Sequence, residues 1–203
     1  MTEAPETSYP PAPWRSSGEL WTGIFTIDSR WQIPEGVNHC LGPRKIMISI
    51  VRYTSGTLIY DELIVGPVVR RGPFIGILIE HIWVNNEASL CGGRMIWGMP
   101  KQMAELTWNA DSVSITDEKG LVAVLDVGRH ARPVPCIWMP APGFGKLNGR
   151  WALTTAHLSG WIGKSGLRIK KWSDRFNCKP SETPVSGIAM KPFRMNVPAP
   201  RML

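Results

Sequence analysis

Long apolar runs are missing from this sequence of 203 residues: its greasiest stretch, Phe74 to Val84, contains Glu80 and His81. That falls short of the roughly 20 apolar residues a spanning helix needs, which excludes a helical membrane protein. Closely spaced cysteines are missing too. Cys40, Cys91, Cys136 and Cys178 lie far apart with no C-x-x-C pair, so neither a zinc ribbon nor a dithiol redox motif is present, and buried free thiols are expected. His39, His81, His130 and His157 show no metal-ligand spacing and read as structural. No G-x-S-x-G elbow occurs. Gly160 to Ser165 ends like a phosphate-binding loop, but its first glycine would fall at Leu158 and no α/β pattern follows. Nothing therefore calls for a metal or an organic cofactor. The N-terminus, MTEAPETSYPPAP, lacks the basic-then-apolar order of a signal peptide. It reads as a disordered Pro-rich leader over 1–17, ahead of one domain over 18–203, in a cytoplasmic protein.

Charge is also scarce, at 19% of residues, yet it is unevenly placed. Lys164, Arg168, Lys170, Lys171, Arg175 and Lys179 against Asp174 give one segment +5 of the chain's +7. Such a segment is most simply a solvated face, and no nucleic-acid reading module accompanies it. Twenty Gly and 18 Pro spread along the chain predict many turns and a mainly β domain. Leu20–Asp28, Lys45–Val51 and Thr57–Val65 read as strands, the last two joined through Thr54-Ser-Gly56. Phe74–Val84 reads as one long strand buried on both faces, as in a barrel or sandwich. Ala88–Trp97 reads as a short helix ending at Gly98, with Pro100 beyond it, although Gly92 and Gly93 sit in its middle. Ala104–Trp108, Val113–Thr116 and Leu121–Val127 follow as strands. Pro140, Pro142, Gly143 and Gly145 predict a loop. Trp151–His157 and Ile188–Val197 read as returning strands.

Ten tryptophans are the compositional excess. Each buries a large area and asks for one hydrogen-bond partner, so core packing explains most of them. Trp97 is also a candidate for a pocket wall, because it lies inside Gly93-Arg94-Met95-Ile-Trp97-Gly-Met-Pro100-Lys101-Gln102, preceded by Asn86-Glu87. A lysine held inward by a preceding proline and apolar neighbours is desolvated, which disfavours an ammonium. A neutral amine is the nucleophile of Schiff-base chemistry.

Here the chain resembles the acetoacetate decarboxylase superfamily. The family's N-E-x-x-x-x-x-G-R-E-x-x-x-x-P-K-K signature is similar to Asn86-Glu87 through Gly93-Arg94-Met95 to Pro100-Lys101-Gln102. Thr54-Ser-Gly56 followed by Tyr60-Asp-Glu62 is similar to its T-S-G and Y-x-E elements, with Glu62 standing 39 residues before Lys101. The resemblance implies a cone-shaped antiparallel β-barrel with a short helix, assembled as a homo-oligomer, with Lys101 as the imine-forming lysine and Glu62 as its acid-base partner. Arg94, Gln102, Trp97, Met95, Met47 and Tyr60 become candidate substrate-binding residues. The chain departs from the family where Gln102 replaces a second lysine, Met95 a glutamate and Met47 an acidic residue, and where Gly18-Glu19-Leu20 offers no carboxylate-binding arginine.

The expected function is decarboxylation or a related lyase step on a bulky apolar β-keto acid or similar carbonyl metabolite, with no nucleic-acid or membrane partner. One alternative is an isomerase, dehydratase or cyclase of a hydrophobic secondary metabolite that uses no Schiff base. Another is a non-catalytic binder of an apolar ligand.

Overall fold

Both faces of the strand over residues 45–56 are buried: Ile46, Ile48 and Ile50 on one side alternate with Ser49, Val51 and Tyr53, the latter two-residue steps facing the other way. A strand covered on both sides needs two neighbouring layers, and the rest of the chain supplies them. The computed structural model describes residues 8–128 and 131–203.

In chain order the strands are β1 (Trp14–Thr26), β2 (Asn38–His39), β3 (Lys45–Gly56), β4 (Tyr60–Gly66), β5 (Val68–Arg71), β6 (Phe74–Leu78) and β7 (His81–Val84). The helix α1 (Glu87–Trp97) intervenes before β8 (Lys101–Met103), β9 (Glu105–Asn109), β10 (Ser112–Asp117), β11 (Gly120–Asp126), β12 (Ala131–Leu147), β13 (Arg150–Lys164), β14 (Arg168–Trp172), β15 (Ser186–Val197) and β16 (Arg201–Met202). Twelve strands form one sheet in the order β2-β5-β6-β12-β13-β15-β1-β3-β4-β7-β8, with β16 beside β13. The remaining four form a second sheet, β14-β11-β10-β9.

The mainly β class with one helix agrees with the expectation. Strand pairing among the described residues traces a path with two ends, β2 and β8, and it is not wholly antiparallel: β6–β12 and β7–β8 run parallel. The outward residues of β1, β3 and β4 share a core with the second sheet, in which Phe25, Ile48, Leu63 and Trp83 pack with Ile115, Leu125 and Ile169. The inward residues of the same strands face a cavity.

Three expectations need correction. The first strand starts at Trp14, inside the stretch expected to be a leader. Trp14 anchors it by packing edge to face on Trp97, with ring centroids 4.7 Å apart, and by donating its indole N–H to the Pro10 carbonyl; residues 1–7 lie outside the described residues. The single strand expected over Phe74–Val84 is two, because the backbone changes partners: Ile79 N–H donates to Phe144 and Glu80 N–H to Val65. The loop expected at Pro140–Gly145 lies within β12, which pairs with β13 along most of its length. Its other edge meets β6 only at Gly143 and Phe144, and prolines are tolerated where no partner needs their N–H. The basic segment agrees with the expected solvated face, since Lys164, Arg168, Lys170, Lys171 and Lys179 are exposed, and part of it is β14. Lys170 meets Asp126 at 3.2 Å, and Arg175 donates to both carboxylate oxygens of Asp117.

The helix begins one residue earlier than expected. Asn86 accepts the Ser89 N–H as its N-cap, and Gly98 adopts φ 63°, the left-handed C-cap that favours glycine.

Candidate active site

Helix α1 and strand β8 are joined by Gly98, Met99 and Pro100, so the helix packs directly beside the strand that follows it. Lys101 heads β8 opposite Ile82 of β7, and both side chains point into the cavity. Lys101 is 3% exposed, and its Nζ lies 2.6 Å from Glu62 Oε2 and 2.9 Å from Ser89 Oγ. Glu62, on β4, is equally buried. Tyr53 donates its hydroxyl to Glu62 Oε1 at 3.3 Å and Tyr60 to Oε2 at 3.4 Å. Burial first, and the Glu62 charge second, hold both phenols well above the usual tyrosine range, so both stay protonated as donors. The Tyr60 ring lies 5.1 Å and the Trp14 ring 5.9 Å from Lys101 Nζ, within reach of cation–π attraction.

Helix α1 reaches Lys101 along the face formed by Ser89, Gly93 and Trp97, three residues at four-residue spacing. Gly93 belongs there for a steric reason. A Cβ at that position would fall on Cδ and Cε of Lys101, and one at Gly92 would fall on the Trp14 ring. The two glycines that seemed to weaken the helix thus allow it to lie against the site.

The cavity measures about 400 Å3. Met47, Val51, Ile64, Ile82, Met99 and Phe193 are among its apolar walls, and Lys101 and Glu62 are the charged side chains lining it among the described residues.

Of the eight site residues expected from sequence, five line this cavity: Lys101, Glu62, Tyr60, Trp97 and Met47. Trp97 is fixed by donating its indole N–H to the Pro198 carbonyl at 2.7 Å. Three do not line it. Gln102 follows Lys101 on a strand and so faces the other way, opposite Trp83. Met95 sits on the outer side of α1 and is 62% exposed. Arg94 donates from Nε and Nη2 to the Lys101 carbonyl, at 2.8 and 2.5 Å. Its guanidinium borders a separate cleft of about 1080 Å3 that also contains Trp31, Glu80, His81 and Lys146. Arg94 therefore positions the lysine backbone rather than receiving a substrate carboxylate in the cavity.

Ser89 and Tyr53 hydrogen-bond to the lysine–glutamate pair, the Trp14 ring lies 5.9 Å from Lys101 Nζ, and none of the three was singled out from the sequence as a site residue. Ser89 carried a signal, since it stands four residues before Gly93, on the helical face that the motif aims at Lys101. Among the described residues no three His, Cys, Asp or Glu side chains are grouped as metal ligands, and no helix is long and apolar enough to cross a membrane.

A family model described as acetoacetate decarboxylase matches residues 8–134. No curated protein sequence matches the chain. Among solved structures, acetoacetate decarboxylase from Legionella pneumophila subsp. pneumophila str. Philadelphia 1 superposes with a TM-score of 0.70 at 18% identity, covering 100% of this chain and 92% of its own. An acetoacetate decarboxylase-like enzyme from Sphingomonas wittichii RW1 gives 0.60 at 12% identity, over 95% of this chain and 93% of its own. The enduracididine biosynthesis enzyme MppR, complexed with pyruvate, gives 0.58 at 14% identity, over 98% and 93%. At these identities the likeness is one of fold.

Proposed function

Because the chain belongs to the acetoacetate decarboxylase family, we propose that it is an enzyme acting on a bulky, apolar carbonyl compound through an imine on Lys101. The observation that carries this reading is the buried Lys101 amine, 2.6 Å from Glu62, at the wall of an apolar cavity. In the proposed sequence Glu62 accepts a proton from the Lys101 ammonium. The freed nitrogen lone pair adds to the carbonyl carbon, and the carbonyl oxygen leaves as water. The iminium then draws in the electron pair of an adjacent bond as that bond breaks. The resulting enamine is protonated at carbon and hydrolysed, returning the amine. The bond broken is a carbon–carboxylate bond in a decarboxylation, or another C–C bond whose leaving carbon departs without the pair; in a C–O lyase step it is the α C–H bond, and the enamine then expels the β-oxygen with its electron pair, giving back an iminium that water hydrolyses.

Intact-mass analysis after borohydride reduction tests the covalent step. With a panel of apolar ketones and keto acids, the expected result is a reduced adduct that peptide digestion maps to Lys101 and that disappears in Lys101→Arg. Turnover without any adduct would overturn it.

One observation favours a second reading. Two of the three hydrogens on the Lys101 ammonium are already directed at Glu62 and Ser89, an arrangement that suits a non-covalent acid-base pair in an isomerase, dehydratase or cyclase. Lys101→Arg keeps a charged donor but cannot form an imine, so residual turnover by that variant supports the second reading.

A further inference from the structure

The inward face of the cavity wall carries a second polar feature. Thr22 on β1 lies directly opposite Ser49 on β3, and their hydroxyl oxygens are 2.6 Å apart. Both line the cavity, and Ser49 is 3% exposed. Ser49 is also paired with Ile64 of β4, while Glu62 is paired with Val51. The hydroxyl pair therefore sits one inward step along the wall from Glu62, a diagonal cross-strand relationship of about 7–8 Å between backbones. Between the two polar features, and on the walls facing them, the lining is predominantly aliphatic and aromatic.

The charge of the cavity is equally specific. Lys101 is already matched by Glu62 at 2.6 Å, and the lining contains no arginine, no histidine and no second lysine among the described residues. Arg94 is directed to the Lys101 carbonyl from the other side. A substrate carboxylate would bring a second negative charge into an apolar enclosure beside Glu62, without a cation of its own, and that is costly. A hydroxyl or a neutral carbonyl entering the same space would meet the hydroxyls of Thr22 and Ser49, which can donate or accept.

We infer that the substrate is an uncharged, elongated apolar carbonyl compound bearing a second neutral oxygen, with the Thr22–Ser49 pair as the subsite that reads that oxygen. The inference rests on the reading of Lys101 as the carbonyl-binding residue and narrows its substrate class. The competing explanation is that Thr22 and Ser49 form a cross-strand pair that only stabilises the sheet. That explanation predicts a stability change without any change in ligand discrimination.

The test is equilibrium binding by calorimetry to the full chain, using 2-decanone, 4-hydroxy-2-decanone, 5-hydroxy-2-decanone and 3-oxodecanoic acid. One of the hydroxy ketones is expected to bind about tenfold tighter than 2-decanone, the gain of one good hydrogen bond, and the keto acid is expected to bind weakest. In Thr22→Val/Ser49→Ala the hydroxy ketone is expected to fall to the affinity of 2-decanone, whose own binding stays the same. The single variants Ser49→Ala and Thr22→Val give the same comparison if the double variant fails to fold. Tighter binding of the keto acid, indifference of the hydroxy ketones to the substitutions, or no binding of any neutral probe would each overturn the inference. Borohydride treatment of the same mixtures separates the two readings. Neutral ligands that bind as expected but leave no adduct on Lys101 remove the covalent mechanism and leave the subsite standing. An adduct formed with a preferred keto acid does the reverse.

Discussion

Gly93 lies so close to the aliphatic stem of Lys101 that any side chain at position 93 would occupy the space of Lys101 Cδ and Cε. The approach of α1 to β8 and the location of the amine are therefore one geometric fact. Gly93→Ala separates stability from chemistry. Alanine favours the helix by about 1 kcal/mol, while overpacking costs about 1–3 kcal/mol, so the net change is a destabilisation of about 0–2 kcal/mol. Displacing the amine by about 1 Å is expected to slow borohydride trapping at Lys101 roughly 100-fold. Near-normal trapping in a folded Gly93→Ala protein would contradict this account.

Removing one partner of the buried pair is expected to be far worse than removing both. Glu62→Leu leaves the Lys101 charge buried and should lower the unfolding free energy by about 3–5 kcal/mol, whereas Glu62→Leu/Lys101→Met should recover most of that loss. Urea denaturation of the three proteins measures the difference. Additive losses in the double variant would mean that the two groups are not coupled.

His81 governs part of the acid response. Its ring stacks on Trp83 at 5.7 Å and meets Trp31 and Phe176 edge to face. Burial, followed by the Arg175 charge, lowers its pKa from 6.5. The unfolded chain therefore takes up this proton first, so the contribution of His81 to stability is present above about pH 6.5 and is lost as pH falls through the lowered folded value. Glu80 beside it shifts upward through burial and works in the opposite sense, so the measurement is a difference. Thermal unfolding of His81→Phe is expected to fall less steeply than the parent between pH 6.5 and 5, and parallel profiles would rule this out.

The free cysteines should react unequally. Burial, helped by the Asp28 charge, pushes the Cys178 thiol up to about 11, while Cys40, Cys91 and Cys136 are partly exposed. Since the thiolate is the reacting form, iodoacetamide at pH 8 is expected to label those three well before Cys178. Peptide mapping over time reads the order, and early labelling of Cys178 would refute it.

The helix was legible from its glycine stop at Gly98 with Pro100 beyond it, the hairpin from the turn at Thr54-Ser-Gly56, and Lys101 from its place after a proline beside apolar residues, whereas Glu62 and its pairing with Lys101 were marked only by the family resemblance. Direction was less legible. Gln102 and Met95 belong to the same motif as Lys101, yet strand alternation turns Gln102 away and the helical period carries Met95 outward. That periodicity was available at the sequence level, whereas the position of Arg94 behind the Lys101 carbonyl depends on a tertiary contact. The prolines and glycines of β12 signal turns locally, and pairing with β13 overrides them because most of its opposite edge has no partner to satisfy. Tyr53 escaped attention because the expected strand stopped at Val51, two residues short of it, whereas β3 continues to Gly56 and sets Tyr53 opposite Tyr60.

The two-sided burial of β3 and β4 divides their sequence by parity. Positions 47, 49 and 51 and positions 62 and 64 shape the chamber, while 46, 48, 50, 63 and 65 join the two sheets. A combinatorial library confined to 47, 49, 51 and 64 would explore new ligand preferences while leaving the intersheet seam intact, whereas the same diversity shifted by one residue would mainly yield proteins that fail to fold.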